Sequence, residues 1–105
     1  MHTKIERRIV WNLLHHLKEH GFVVSGYDDG DGLEPRTLSN VRALEVVASV
    51  DESCLYFQKE GNKEAHGVLF VGGNGPEIIS DWSYSMNDPD GLNKAMDSFN
   101  SDDYV

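Results

Sequence analysis

Residues 67–83, GVLFVGGNGPEIISDWS, set two apolar runs on either side of a Gly-Gly-Asn-Gly-Pro turn. That arrangement fixes a β-hairpin, because glycine and asparagine supply the backbone conformations a tight reversal needs and proline blocks continuation of the first strand. Within the first run Val68 and Phe70 alternate with Leu69 and Val71, so both sides of the strand are apolar. Such a strand is expected at the centre of a sheet, covered on both faces by helices or by a second subunit.

The rest of the chain supplies the partners for that hairpin. Thr3 and Glu6 form a T-x-x-E capping box, in which each side chain satisfies a free amide of the first helical turn. Ile5, Ile9, Val10, Leu13, Leu14 and Leu17 then fall on one arc at the helical repeat, and Gly21 supplies a left-handed stop. Residues 22–27 read as a strand and residues 28–36, DDGDGLEPR, as a turn-rich acidic loop. Thr37 or Ser39 caps a second helix reaching Ala48, with Leu38, Val41, Leu44 and Val47 or Ala48 inward. Strands follow at residues 55–59, 66–71 and 77–82, the first two joined by a turn centred on Gly61-Asn62. Asn87, Asp88, Pro89 and Asp90 break the chain before a short helix over residues 91–100, with Leu92, Met96 and Phe99 inward. The expected fold is therefore α+β, in the order α-β-α-β-β-β-α, with a long N-terminal helix and a mainly antiparallel four-stranded sheet. Residues 1–100 form one domain, and residues 101–105 a loose acidic tail.

Charge narrows the partners. The net charge is −9, but residues 1–20 carry four cationic side chains against two carboxylates, whereas residues 21–105 carry five against sixteen. So acidic a body repels phosphate and disfavours direct nucleic-acid binding. With one cysteine, Cys54, no signal peptide and no long apolar run, the chain reads as cytoplasmic, without a membrane partner. Cys54 lies between apolar neighbours and is expected to be a buried strand thiol.

Four constellations could carry chemistry. His16, Glu19 and His20 spell H-x-x-E-H, which on a helix sets two imidazoles one turn apart for zinc, with Glu19 to polarise a water. No third ligand is identifiable. Helix-terminal packing of the two rings is the expected role, and a small metal-dependent hydrolase the alternative. Asp28, Asp29, Asp31 and Glu34 cluster in the acidic loop, but an EF-hand alignment puts Tyr27 and Leu38 where carboxylates belong. Gly72, Gly73, Asn74 and Gly75 lack the Lys-Ser/Thr and the helix of a phosphate loop, and are read as a hairpin turn. Trp11 points away from the apolar arc, among Lys4, Arg7, His15 and Lys18 with Arg8 on the flank, as a protein-binding hot spot would. The alternative is a Trp11 covered by the C-terminal tail or by arginine stems. Trp82 is expected to pack across the strands on Tyr56.

The runs DESCLYFQKEG and HGVLFVGGNGPEIISDWS resemble a group of short uncharacterised proteins of phages, prophages and plasmids, through Asp51, Glu52, Leu55, Phe57, Gly67, residues 72–74 and residues 79–83. The resemblance implies a mobile-element accessory protein that binds a host protein, and carries no activity to any residue. The expected function is non-enzymatic and cofactor-free: protein binding through Asp28, Asp29, Asp31 and Glu34, or through Arg7, Trp11 and His15. Its partner would be a nucleic-acid-binding enzyme met by charge mimicry, or a second copy in a homodimer or larger homo-oligomer.

Overall fold

The computed structural model describes residues 2–85 and 91–104. Helix α1 (Lys4–Glu19) is followed by β1 (Phe22–Asp28), β2 (Leu33–Glu34), α2 (Asn40–Ser49), β3 (Ser53–Lys59), β4 (Asn62–Val71), β5 (Ile79–Tyr84) and α3 (Leu92–Asp97). The sheet is antiparallel with strand order β2-β1-β3-β4-β5. It has five strands rather than the expected four. The added strand, β2, is two residues long and lies inside the acidic loop, paired through Tyr27–Glu34 and Asp28–Leu33. Strand β4 also begins at Asn62, four residues earlier than expected. Gly61, at φ +79°, provides the left-handed residue of the turn, so Asn62 is free to join the ladder.

All three helices lie on one face of this sheet. Ile9, Val10, Leu13, Leu14 and Leu17 of α1 join Ala43 and Val47 of α2, and Leu92, Ala95 and Met96 of α3, in one cluster with Val24, Leu55, Phe57 and Leu69 of the strands. Helix α1 touches both other helices. The periodicity-based arc holds except at its start, where Ile5 is 45% exposed and its neighbour Glu6 is the buried residue of the first turn. Val41, expected inward, is likewise 55% exposed in the first turn of α2, and Ala43 takes the buried position instead. Ser39 is the N-cap of α2, its hydroxyl accepting from the Arg42 amide at 3.3 Å.

Cross-strand pairing divides the sheet side chains between two faces. Tyr27, Leu55, Leu69 and Trp82 stand in one row on the helix side; Asp28, Cys54, Phe70 and Asp81 stand in the next row on the opposite side. Of the two covers expected for β4, helices supply only one, on a single face. Leu69 and Val71 are buried under helices, whereas Val68 is half-buried and Phe70 is 39% exposed. Trp82 packs against the core in register with Leu69, and cannot meet Tyr56, whose row is Gly26, Val68 and Ser83 on the other face.

The capping box is present, with Glu6 N–H donating to Thr3 Oγ1 at 3.1 Å and Thr3 N–H to Glu6 Oε1 at 2.8 Å. Glu6 does more than cap. Its Oε2 accepts from the Gly75 amide at 2.7 Å, and His2 Nδ1 stands 3.7 Å from Oε1. The side chain is buried, and a one-turn 3-10 helix (Gly75–Glu77) presents the amide to it. The glycine tract is a hairpin connection, as expected, yet it does hold an anion, the chain's own. Gly73 is required there because a Cβ would meet the Glu77 carbonyl, and Gly67 because a Cβ would collide with Leu92. These backbone bonds, that to Gly75 foremost, hold the Glu6 carboxyl below its usual pKa.

Residues Ser101–Tyr104 form a 3-10 turn and Tyr104 stacks on Phe99 at 5.4 Å, so the expected loose tail is anchored by an aromatic pair. The break expected at Asn87, Asp88, Pro89 and Asp90 lies outside the described residues.

Two substitutions separate the buried arc of α1 from its exposed first member. Leu13→Ala should cost about 3 kcal/mol in urea unfolding and Ile5→Ala less than about 1 kcal/mol; equal losses would contradict the assignment of the arc. A Glu6 carboxyl with a lowered folded-state pKa contributes stability that is present above its unfolded pKa and lost as pH falls through the folded value. Glu6→Gln should therefore be less stable than the parent by about 1–2 kcal/mol near pH 7, and the gap should close as the pH falls below the usual carboxylate range. A gap independent of pH would show that the ionised carboxylate is not what holds Gly75.

Candidate functional site

The helix-free face of the sheet gathers apolar and acidic side chains. Register sets Cys54 and Tyr56 of β3 beside Val68 and Phe70 of β4 at its centre. Carboxylates flank the Cys54–Phe70 row. Asp28 pairs with Cys54 across β1 and β3, Asp81 pairs with Phe70 across β4 and β5, and Glu52 precedes β3. A shallow groove of about 440 Å³ runs between Asp28, Glu52, Cys54, Phe70 and Ser80. The face thus combines an apolar centre with carboxylates along one row.

The acidic loop closes on its own carboxylates. Asp28 Oδ1 accepts from the amides of Gly30 at 2.9 Å and Gly32 at 3.2 Å, and Asp29 Oδ1 from Asp31 at 3.4 Å. Gly30 and Gly32 take positive φ values of 111° and 103°, which allows the carboxylates to fold back over their own backbone. Asp28, Asp29 and Asp31 thus cluster at one end of the open face. Glu34 does not join them. It stands opposite Tyr27 in β2, in the row that belongs to the helix side. Asp81 and Glu52 border this face instead. Alternation along β4 gives no signal of this face, because Val68, Leu69, Phe70 and Val71 are all apolar.

Cys54 is half-buried on this open face, not sealed in the core as expected, because its row faces away from the helices. Burial, aided by the charge of Asp28, pushes its thiol pKa up, so the thiolate that nucleophilic chemistry needs is disfavoured.

Arg7, Trp11 and His15 come together on the outer side of α1. Trp11 is half-buried and meets the His15 ring edge-on at 4.4 Å, and Lys4, Arg7, Arg8 and Lys18 are exposed around it. Among the described residues these four cations make no ion pair. The C-terminal turn does not pack its rings on Trp11. Its Tyr104 stacks on Phe99, and Phe99 meets His16 at 5.5 Å. Because α1 covers one side of the sheet and Asp28 and Phe70 belong to the other, the cationic and acidic groups occupy opposite faces of a slab about 20 Å thick.

The H-x-x-E-H string resolves into a packing role for its first ring. His16 Nε2 lies 2.9 Å from both the Ala95 carbonyl and Ser98 Oγ, and Ser98 Oγ in turn donates to the same carbonyl. A carbonyl only accepts, so this geometry requires the proton on Nε2. His20 meets the His16 ring at 4.7 Å, and Glu19 is exposed. Among the described residues no group of three or more His, Cys, Asp or Glu side chains is placed to hold a metal ion.

Compared with protein-family models, curated proteins and solved structures, the chain matches none.

His16→Ala should destabilise the fold by about 1 kcal/mol, by an equal amount with and without a chelator, as urea unfolding would measure. A loss that appears only when zinc is present would restore the metal reading of His16, Glu19 and His20.

Proposed function

We propose that this chain is a non-enzymatic protein-binding module whose acidic, helix-free sheet face docks on a basic surface of a partner protein. The single observation that carries this reading is the pairing of an exposed aromatic, Phe70, with carboxylates on both flanks of its row, Asp28 and Asp81. Side chains of this kind supply both halves of recognition. The apolar centre gives affinity on desolvation, and the charges steer encounter and reject acidic competitors. Asp28, Asp29 and Asp31 extend the negative surface beyond the sheet, in positions their own turn geometry holds fixed.

The partner best suited to such a face is a protein whose site normally holds nucleic-acid phosphates. A row of carboxylates can occupy the same cationic groups, with the charge mimicry then acting as inhibition. The resemblance to phage and plasmid accessory proteins supports a host enzyme of that class. Among the described residues no helix is long and apolar enough to cross a membrane, and a cytoplasmic setting forms part of the proposal.

Affinity capture from a bacterial lysate at about 0.05 M and about 0.5 M salt tests the reading, since a contact of this kind is screened at the higher concentration. Nucleic-acid-binding proteins should be retained at low salt and released at high salt. The variant Asp28→Asn/Asp29→Asn/Asp31→Asn should bind the recovered partner at least about tenfold more weakly. Undiminished affinity in that variant, or a partner retained equally at both salt concentrations, would overturn charge mimicry.

A further inference from the structure

We infer that the acidic open face also accepts the Trp11 face of a second copy of this chain, so that the protein associates head to tail. The inference rests on the reading of the open face as a docking surface and names an occupant for it. Both complementary surfaces belong to one molecule. The outer side of α1 sets a half-buried tryptophan among four exposed cations free of ion pairs in the described residues. The open face sets Phe70 between Asp28 and Asp81. An aromatic centre with a cationic rim fits an apolar centre with an acidic rim.

Geometry makes the contact heterologous. The two surfaces lie on opposite sides of the slab, so one molecule cannot satisfy its own pair, and a symmetric dimer cannot use both at a single interface.

Competing modes are disfavoured by the same groups. Stacking two open faces would bring one Asp28–Asp81 rim against another, a repulsion between like charges. Pairing through β5 meets a blunted strand, because the Trp82 amide is already held by the Asp81 carboxylate at 2.8 Å. The cationic face of a second copy avoids both penalties. A foreign basic partner would then have to displace it.

Sedimentation equilibrium of the purified chain decides the matter. At about 0.05 M salt the average mass should rise with concentration beyond that of a monomer, and at about 0.5 M salt it should return to the monomer. Two neutral variants test the direction. Trp11→Ala/Arg7→Gln disables the cationic face, and Phe70→Ser/Asp81→Asn disables the open face, with far-ultraviolet circular dichroism confirming that each folds. Each alone should be monomeric, and an equimolar mixture should form a 1:1 dimer that does not grow, since one intact face of each kind remains. A wild-type chain monomeric at every concentration overturns the inference, as does a mixture that stays monomeric. So does a dimer abolished by Phe70→Ser/Asp81→Asn but untouched by Trp11→Ala/Arg7→Gln. A monomeric wild type that still captures basic proteins through Asp28, Asp29 and Asp31 removes only the self-association; loss of both removes the docking face itself.

Discussion

The seam between α1 and the sheet is the interaction on which the rest of the structure depends. Ile9, Leu13, Leu14 and Leu17 are at most 1% exposed and belong to the same cluster as the buried residues of β1, β3 and β4. Each such side chain contributes about 1.5–3 kcal/mol on burial, against a net stability of about 5–15 kcal/mol for a domain. The same helix positions the hairpin that closes the sheet, since Glu6 at its first turn binds the Gly75 amide of the β4–β5 connection. Helices α2 and α3 extend the cover that α1 begins. All three lie on one side, and that choice leaves the opposite face of the sheet open.

Features of local origin were legible in the sequence, and features set by pairing were not. The capping box, the apolar arc and the Gly21 stop of α1 each depend on residues within four positions of one another, and all are present. The second helix and the β4–β5 hairpin are likewise local. Strand β2 escaped because two residues carry no periodicity, and its existence depends on Asp28 and Tyr27 finding partners across a turn. The exposure of Phe70 escaped for a different reason. A strand with apolar residues on both sides is read as doubly covered, but alternation says only which residues share a face, and nothing about what packs there. Trp82 and Tyr56 show the same limit, since their separation onto opposite faces is decided by register across three strands. The second role of Glu6 is longer in range still: it joins residues 69 positions apart, and neither a capping box nor a glycine tract announces that contact.

The candidate site was half visible for related reasons. Composition showed that the body was acidic and the first helix cationic, and periodicity placed Trp11 outside the apolar arc. Neither could say that the two charges lie on opposite faces of one slab, because that follows from all three helices sharing a side. Asp81 and Glu52 lie far from the acidic loop in sequence, and only the order β1-β3-β4-β5 brings them alongside Asp28. Glu34, adjacent in sequence, is set apart by its pairing with Tyr27.

An uncovered sheet face is ordinarily a liability, because exposed apolar side chains invite stacking with another sheet. Here the carboxylates that flank Phe70 change what can approach. A neutral or acidic surface would bury Asp28 and Asp81 without a counter-charge, at a cost that the small apolar centre cannot offset. A cationic surface pairs those carboxylates as it covers Phe70, so attraction and exclusion come from the same two side chains. In the proposed docking, self-stacking and indiscriminate association are both penalised, while a cationic partner is favoured. Specificity of this kind needs no deep pocket and no catalytic group. It requires only that the charges be held in register with the aromatic, which the ladder from β1 to β5 does.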